Sequence, residues 1–241
     1  MAWSKVGASD ANFASGVTSR VITRTPGAIG NLLIIAFDLG QFDGTPTISD
    51  TAGNTWNVLN PIKNDATNAT TTLSWYALAN GTSSTTITVQ TNSAAQYCTI
   101  SFDEFTGGAA APLDQVVNSA TGANGTPISP TITPSVNDCL FWAWCADSTT
   151  NVGLMDGVTA TQGSIDNDGE RSEYRILSGR AGIGMTAAFV GSGSFNVMAA
   201  TFKPLTGSLI SPDVGPLSFI GRIMDIIEEM RNNARIVIRK A

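Results

Sequence analysis

Acidic residues are the side chains of this sequence most able to do chemistry, because the chain has no histidine. A Ser-His-Asp triad, a Cys-His pair and a histidine-ligated metal site are therefore excluded. Two carboxylates about 5 to 9 Å apart could still hydrolyse a glycosidic bond, and Asp103, Glu104 and Glu173 lie on predicted strands. Because any acidic β-protein offers such pairs by chance, we expect no enzymatic activity.

A second acidic cluster, in residues 166–170, is a calcium candidate. Asp166, Asp168 and Glu170 place carboxylate oxygens around Gly169, and calcium prefers oxygen ligands on such a loop. The segment lacks the twelve-residue loop and distal glutamate of an EF-hand. The alternative is a solvated turn before the next strand, and we expect no cofactor.

Aromatic side chains offer a different function, stacking on sugar rings. Trp56, Trp75 and Tyr76 are the candidates, and loops rich in Asn, Asp and Thr could supply hydrogen bonds to a glycan. Trp56 follows a turn in which Asp50 can cap backbone amides, Gly53 can take a positive φ and Asn54 tolerates the left-handed region. The alternative is that these aromatic residues belong to the core.

Alternating hydrophobicity predicts many short strands that would carry these residues. The predicted strands are 20–24, 31–38, 55–59, 71–78, 85–91, 96–105, 114–119, 129–133, 138–146, 171–177, 184–190 and 195–203. No segment before residue 216 has helical periodicity. Strands without crossover helices predict an all-β antiparallel fold, a sandwich or a barrel, and we favour a jelly-roll-like β-sandwich.

The chain also repeats itself after about a hundred residues. Segments 30–38, 73–78 and 96–102 resemble segments 137–144, 172–177 and 195–202, with Leu32 aligned to Cys139. Two halves with the same strand order would fit the paired sheets of a jelly roll. Two separate small domains are the alternative, but each would bury too little surface.

Segments 31–38 and 138–146 are apolar on both faces, unlike a sandwich strand with one solvated face. Both faces must therefore be covered, either by loops of this chain or by a neighbouring subunit. The three cysteines predict no disulfide framework, because Cys139 and Cys145 lie too far apart on one strand and Cys98 alternates with core residues.

Several segments together resemble a jelly-roll-type β-sandwich module that recurs in phage virion proteins and in bacterial surface or secreted proteins. They are residues 30–33, the turn 48–56 with its Ser-Asp-x-x-Gly-Asn-Thr-Trp pattern, 102–107 and 199–204. The resemblance covers roughly residues 10–204 and carries no catalytic residues. It implies a display or adhesion module attached to a larger assembly.

The composition changes after Pro204, which predicts a sandwich over 1–204, a linker over 205–215 and a separate segment over 216–241. That segment reads as an amphipathic helix followed by a short basic tail. Its apolar face consists of Leu217, Ile220, Ile223, Met224, Ile227 and Met230. Such a helix needs a surface to cover it: its own sandwich, symmetry mates, or another protein.

Composition limits the partners. Only 13% of residues are charged, the net charge is −6 and no segment is long enough to cross a bilayer as an apolar helix. We therefore expect no nucleic-acid or membrane partner.

We predict a non-enzymatic virion protein, a capsid decoration or fibre-type component on the virion surface, made in the host cytoplasm without a signal peptide. Its partners would be itself, as a homo-oligomer such as a trimer, and other virion proteins. The alternative is a glycan-binding adhesion module that binds host glycans.

Overall fold

Strands form the whole regular structure of the part of the chain that the computed structural model describes. That part comprises residues 2–7, 10–39, 46–65, 70–95, 98–118, 122–123, 131–147, 152–155, 161–165, 171–184, 187–189 and 194–205. It contains antiparallel sheets and no helix, which confirms the all-β prediction. The chain divides into two units, Met1–Leu205 and Thr206–Ala241; the predicted helix and tail lie outside the described residues.

The first half of the chain contributes nine strands. They are β1 Ser4–Lys5, β2 Asp10–Ala14, β3 Val17–Arg24, β4 Leu32–Leu39, β5 Thr47–Asp50, β6 Asn57–Asp65, β7 Thr70–Leu78, β8 Thr85–Ala95 and β9 Cys98–Thr106. Sheet I has the strand order β1-β9-β4-β7-β6, with β2 also on β9. Sheet III has the order β3-β8-β5.

The second half contributes eight strands. They are β10 Gly108–Asn118, β11 Gly122–Ala123, β12 Leu140–Asp147, β13 Val152–Met155, β14 Thr161–Ile165, β15 Arg171–Ile176, β16 Ala187–Phe189 and β17 Ser194–Pro204. Sheet II has the order β10-β17-β12-β15-β14, with β11 also on β17. Sheet IV pairs β13 with β16.

Sheets I and II repeat one strand order, so the internal repeat is a repeat of structure. Leu32 pairs with Leu78 and Phe105 in sheet I, and Leu140 pairs with Ile176 and Phe202 in sheet II. Leu32 therefore corresponds to Leu140, and the predicted alignment of Leu32 with Cys139 was wrong by one residue. Such a shift exchanges the two faces of a strand.

Two further observations support this corrected register. Positive φ angles occur at Gly30 (83°) and Asp138 (58°), two residues before Leu32 and Leu140. The pair Arg24–Thr85 in sheet III also has a counterpart, the isolated bridge Ile132–Ile183. In each half, therefore, a central strand lies in a large sheet, and a second layer of paired backbone segments lies beside that sheet.

Three hydrophobic clusters cover both faces of the two central strands. Leu33, Ile35 and Phe37 of β4 pack in the cluster that also contains Ile22 and Val89 of sheet III. The opposite face of β4 packs against β12 across a second cluster, which holds Leu32, Ile34, Ala36, Leu140, Trp142 and Trp144.

The far face of β12 contributes Phe141, Ala143 and Cys145 to a third cluster, together with Ile132 and Leu177. Every residue of β4 is buried, and so are the β12 residues from Leu140 to Cys145. The chain therefore covers its two most hydrophobic strands by itself, mostly with other sheets rather than with the loops that we considered. Of the two predicted covers, a neighbouring subunit is not required.

The two ends of this unit meet at the junction between β9 and β10. Ser4 pairs with Thr106, Gly108 pairs with Pro204, and the Leu205 N–H donates to the Gly107 carbonyl at 2.5 Å. Gly107 has a φ of 103°, and a Cβ atom there would lie 2.6 Å from the Ala2 carbonyl oxygen. Only glycine allows this close approach of three backbone segments.

Candidate functional site

The predicted turn around Asp50 forms a hydrogen-bonded scaffold for Trp56. Asp50 Oδ1 accepts bonds from the Ala52 and Asn54 N–H groups at 2.9 and 3.1 Å. Its Oδ2 accepts bonds from Asn54 Nδ2 at 2.8 Å and from Trp56 Nε1 at 2.7 Å. The carboxylate therefore caps the turn, as predicted, and also fixes the orientation of the indole ring.

The rest of the turn joins a neighbouring loop. Gly53 has the expected positive φ of 68°, whereas Asn54 is not among the residues with positive φ. Asn54 contributes through its side chain instead, because its Oδ1 accepts a bond from the Asn80 N–H at 2.7 Å. Asn80 Nδ2 returns a bond to the Gly53 carbonyl at 2.7 Å. Trp56 is half-buried and packs on the cluster between sheets I and III.

The structure separates the three aromatic residues that we considered for glycan binding. Trp75 is 3% exposed and packs near Phe37 in the cluster between sheets I and III. A buried ring offers no face to a sugar, so Trp75 leaves the candidate set. Tyr76 is half-buried, edge-on to Phe202 with 5.8 Å between ring centroids, and burial raises its pKa. Trp56 and Tyr76 lie in different clusters.

The remaining predicted sites lie outside the described residues. These are the calcium candidate Asp166, Asp168 and Glu170, and the apolar face from Leu217 to Met230. Among the described residues, no group of three His, Cys, Asp or Glu side chains could hold a metal ion. The same part of the chain has no helix that could span a membrane.

A buried polar cluster between sheets I and II was not predicted. Asp103 of β9 is 1% exposed, and its Oδ1 lies 2.6 Å from Lys5 Nζ of β1. Its Oδ2 accepts bonds from Trp142 Nε1 of β12 at 2.9 Å and from Ser172 Oγ of β15 at 2.6 Å. We call Lys5, Asp103, Trp142 and Ser172 the Asp103 cluster. It joins strands of both halves of the chain.

Aromatic rings form the wall around the lysine of this cluster. Lys5 Nζ lies 5.6 Å from the centroid of Phe105 and 5.1 Å from that of Tyr174. The two rings pack edge-to-face, with 5.0 Å between centroids. The lysine side chain is 12% exposed. A cation in this position gains from the ring faces as well as from the carboxylate.

Glu104, next in the chain, faces the opposite side of β9. Its Oε1 accepts bonds from the Gly27 N–H at 2.8 Å and from Asn31 Nδ2 at 2.5 Å. Because successive side chains of a strand point to opposite faces, the carboxyl groups of Asp103 and Glu104 serve separate layers. Each is engaged in the packing of its own layer, which is unlike a pair of catalytic acids.

The sequence of β9 did not point to the Asp103 cluster. The strand alternates apolar residues at 98, 100 and 102 with polar residues at 99, 101 and 103, so Asp103 continues a face that the pattern predicts to be solvated. Its partners were not recognisable, because Lys5 lies 98 positions away in the chain and Ser172 lies 69 positions away. Comparison of the whole chain with protein-family models, curated proteins and solved structures gave no match.

Proposed function

We propose that the protein is a structural component of a phage-like virion, displayed on the particle as a decoration or fibre-type protein. Residues 1–205 would be the displayed part, and residues 216–241 would attach it or join copies of it. Antiparallel jelly rolls are common in viral capsid proteins and in lectins. The low charged fraction of the chain also suits a surface that hydroxyl and amide groups hydrate.

The proposal includes a finer description of the fold. In each half, the chain alternates between a large sheet and a second layer: β3, β5 and β8 pair in sheet III, while β4, β7 and β9 pair in sheet I. This alternation is what a jelly roll requires. We therefore propose two jelly-roll-like halves stacked through sheets I and II, instead of one jelly roll whose two sheets come from the two halves.

The observation that carries the proposal is the complete cover of β4 and β12 within one chain. A unit that needs no neighbour to finish its core can be displayed as a self-contained body. Association then falls to the separate unit Thr206–Ala241, whose predicted apolar face needs a partner surface. The carboxylates of Asp103 and Glu104, engaged inside the packing, support a non-enzymatic role.

Truncation after Leu205 tests the attachment role. We expect the full chain to form an oligomer by light scattering and to sediment with particles purified from cultures of the source organism. The truncated chain should remain folded and lose both properties. The double variant Ile223→Asp with Ile227→Asp should behave like the truncation, because two charges interrupt the apolar face.

The matched control is Glu228→Gln with Glu229→Gln, which changes two residues on the other faces of the predicted helix. It should keep the oligomer and the particle association. A truncated chain that retains both would contradict the attachment role. Absence of the full chain from purified particles would contradict the virion proposal as a whole.

Glycan binding is a second candidate function, and the geometry at Trp56 favours it. Its ring is half-buried at a turn that four bonds to Asp50 hold rigid, and a rigid aromatic face lowers the entropy lost on binding. Glycan-array binding that Trp56→Ala abolishes and Trp56→Phe preserves would support this role. A wild-type array without signal would count against it.

A further inference from the structure

We propose that Lys5 and Asp103 condense into an isopeptide bond, an amide between the lysine Nζ and the aspartate Cγ. The amine and the carboxyl group are already in contact, with Nζ 2.6 Å from Oδ1. The carboxyl group is 1% exposed and the lysine 12% exposed. The inference does not depend on the proposed virion function.

Proximity is the first argument. A nucleophile held against the group that it attacks reacts as if at a very high local concentration. The strand pairing Lys5–Phe105 fixes the lysine backbone, and the rings of Phe105 and Tyr174 lie 5.6 and 5.1 Å from Nζ. The amine is therefore confined next to the carboxyl carbon, in a site from which most water is excluded.

The second argument is the environment of the other carboxyl oxygen. Trp142 Nε1 and Ser172 Oγ both donate to Oδ2, at 2.9 and 2.6 Å. When an amine adds to a carboxyl carbon, negative charge develops on one oxygen of the tetrahedral intermediate. Two fixed donors at that oxygen are the arrangement that stabilises such charge.

The reaction balances without a co-reactant. Starting from the ion pair, one proton passes from Nζ to Oδ1, and the neutral amine attacks Cγ. The Nζ–Cγ bond forms, a second proton passes from nitrogen to Oδ1, and the Cγ–Oδ1 bond breaks. Oδ1 leaves as water, Oδ2 becomes the amide oxygen, and one N–H remains on the new amide.

The second half of the chain supplies an internal comparison. Lys5 pairs with Phe105 across two strands, and Leu113 pairs with Phe202 at the corresponding place in the second half. In the same way, Asp103 pairs with Ile34, and Ala200 pairs with Trp142. The reactive pair therefore corresponds to Leu113 and Ala200, which cannot condense. Within the part of the chain that the structure describes, the bond is therefore expected at Lys5 and Asp103 and not at the corresponding place in the second half.

Intact-mass spectrometry of the purified, aged full chain is the test. The wild type should be lighter than its sequence mass by about 18 Da, one water. Tandem spectra should locate the bond between the peptides that contain Lys5 and Asp103. Lys5→Arg keeps the positive charge but lacks the amine, so it should fold, as judged by circular dichroism, and show no mass loss.

This control matters because Asp-Gly sequences lose the same mass when they cyclise to succinimides. The chain has three of them, at Asp43, Asp156 and Asp168. A loss that persists in Lys5→Arg, or that maps to an Asp-Gly site, would overturn the proposal. So would a wild type that stays at its full mass.

Two further variants test the chemistry. Asp103→Asn should release ammonia, about 17 Da, instead of water, and so reach the same final mass as the wild type. Ser172→Ala removes one donor to Oδ2 and should slow bond formation about a hundredfold. Unchanged kinetics in Ser172→Ala would contradict the role of that oxygen.

Discussion

The two halves of the chain share a strand order but anchor the same loop with different chemistry. In the first half, Glu104 of β9 holds the segment before β4 directly, through the Gly27 N–H and Asn31 Nδ2. In the second half, the position of Glu104 is occupied by Thr201. Its hydroxyl donates to Asp114 Oδ2 at 3.1 Å, and Asp114 accepts the Ser135 N–H at 2.9 Å.

In both halves a carboxylate accepts a backbone N–H of the segment before the central strand, although different strands supply it. Ser135 also donates through its hydroxyl to Asp114, and Cys139 Sγ lies 3.7 Å from the same carboxylate. The carboxylate comes from β9 in the first half and from β10 in the second half. The Asp103 cluster, in contrast, has no counterpart in the second half.

Loss of Lys5 should have the largest effect. Relative to wild type measured before the bond between Lys5 and Asp103 has formed, Lys5→Met leaves the Asp103 carboxylate buried without its cation, which should cost about 3 to 5 kcal/mol of the free energy of unfolding. The equivalent Leu113→Met should cost less than about 1.5 kcal/mol. Urea unfolding followed by tryptophan fluorescence measures both. Equal losses would show that the two halves do not differ at this position.

A double variant sharpens this result. Adding Asp103→Asn to Lys5→Met removes the buried charge while an amide oxygen can still accept bonds from Trp142 and Ser172. We expect the double variant to regain at least half of the lost stability. A double variant as unstable as Lys5→Met alone would mean that packing of the lysine side chain, rather than charge pairing, dominates.

The anchoring carboxylates should give the next largest difference. Glu104→Leu leaves Asn31 Nδ2 and the Gly27 N–H without their acceptor, and we expect a loss of about 3 kcal/mol. Thr201→Val removes one of several bonds to Asp114, and we expect about 1 kcal/mol. Thermal and urea unfolding of the two variants give the comparison, and the reverse order of losses would contradict it.

The second anchor should also depend on pH. Burial raises the pKa of Asp114, but the bonds from Ser135, Thr201 and Cys139 together hold it below its ordinary value of 3.8. A lowered folded pKa stabilises the fold above the unfolded value, and this contribution is lost as the pH falls through the folded pKa. Melting curves from pH 7 to strongly acidic pH should separate the wild type from Asp114→Asn at neutral pH. The curves should converge in acid; a constant gap would contradict the assignment.

The smallest expected difference concerns the cysteines, which report on each half separately. Burial raises the pKa of Cys98 and of Cys139 to about 11, so neither thiol should react with an alkylating reagent at pH 8 in the native protein. In intermediate urea, mass spectrometry should find both labelled at the same rate, because the halves share one hydrophobic cluster. Earlier labelling of Cys139 would show that the second half opens alone.

The sequence allowed prediction of the elements whose patterns are strong by themselves. Strands β4 and β12 are long apolar runs, and they were recognised together with the fact that both faces need cover. Six short strands were missed, because segments of two to five residues carry too little alternation to mark them; they are β1, β2, β5, β11, β13 and β14. The repeat was recognised, but its register was wrong by one residue, since a similarity of apolar runs cannot define which face is which.

The candidate sites were less predictable. The turn around Asp50 is local, so its cap and the positive φ of Gly53 could be predicted from the order of the residues. The Asp103 cluster depends on four strands that meet only in the folded chain, and no spacing in the sequence marks it. The sequence does not distinguish Trp75 from Trp56, yet Trp75 is buried and Trp56 is half-buried.

The meeting of residues 2–4 and 204–205 at the β9–β10 junction has a mechanical consequence. A pull between these two ends would first separate β1 from β9, one hydrogen bond at a time, because β1 borders sheet I whereas β17 lies between β10 and β12 in sheet II. Such a geometry resists little force compared with strands sheared along their length. A covalent bond at Lys5 would stop this separation at its first hydrogen bonds and transfer the force to β9, in the interior of sheet I.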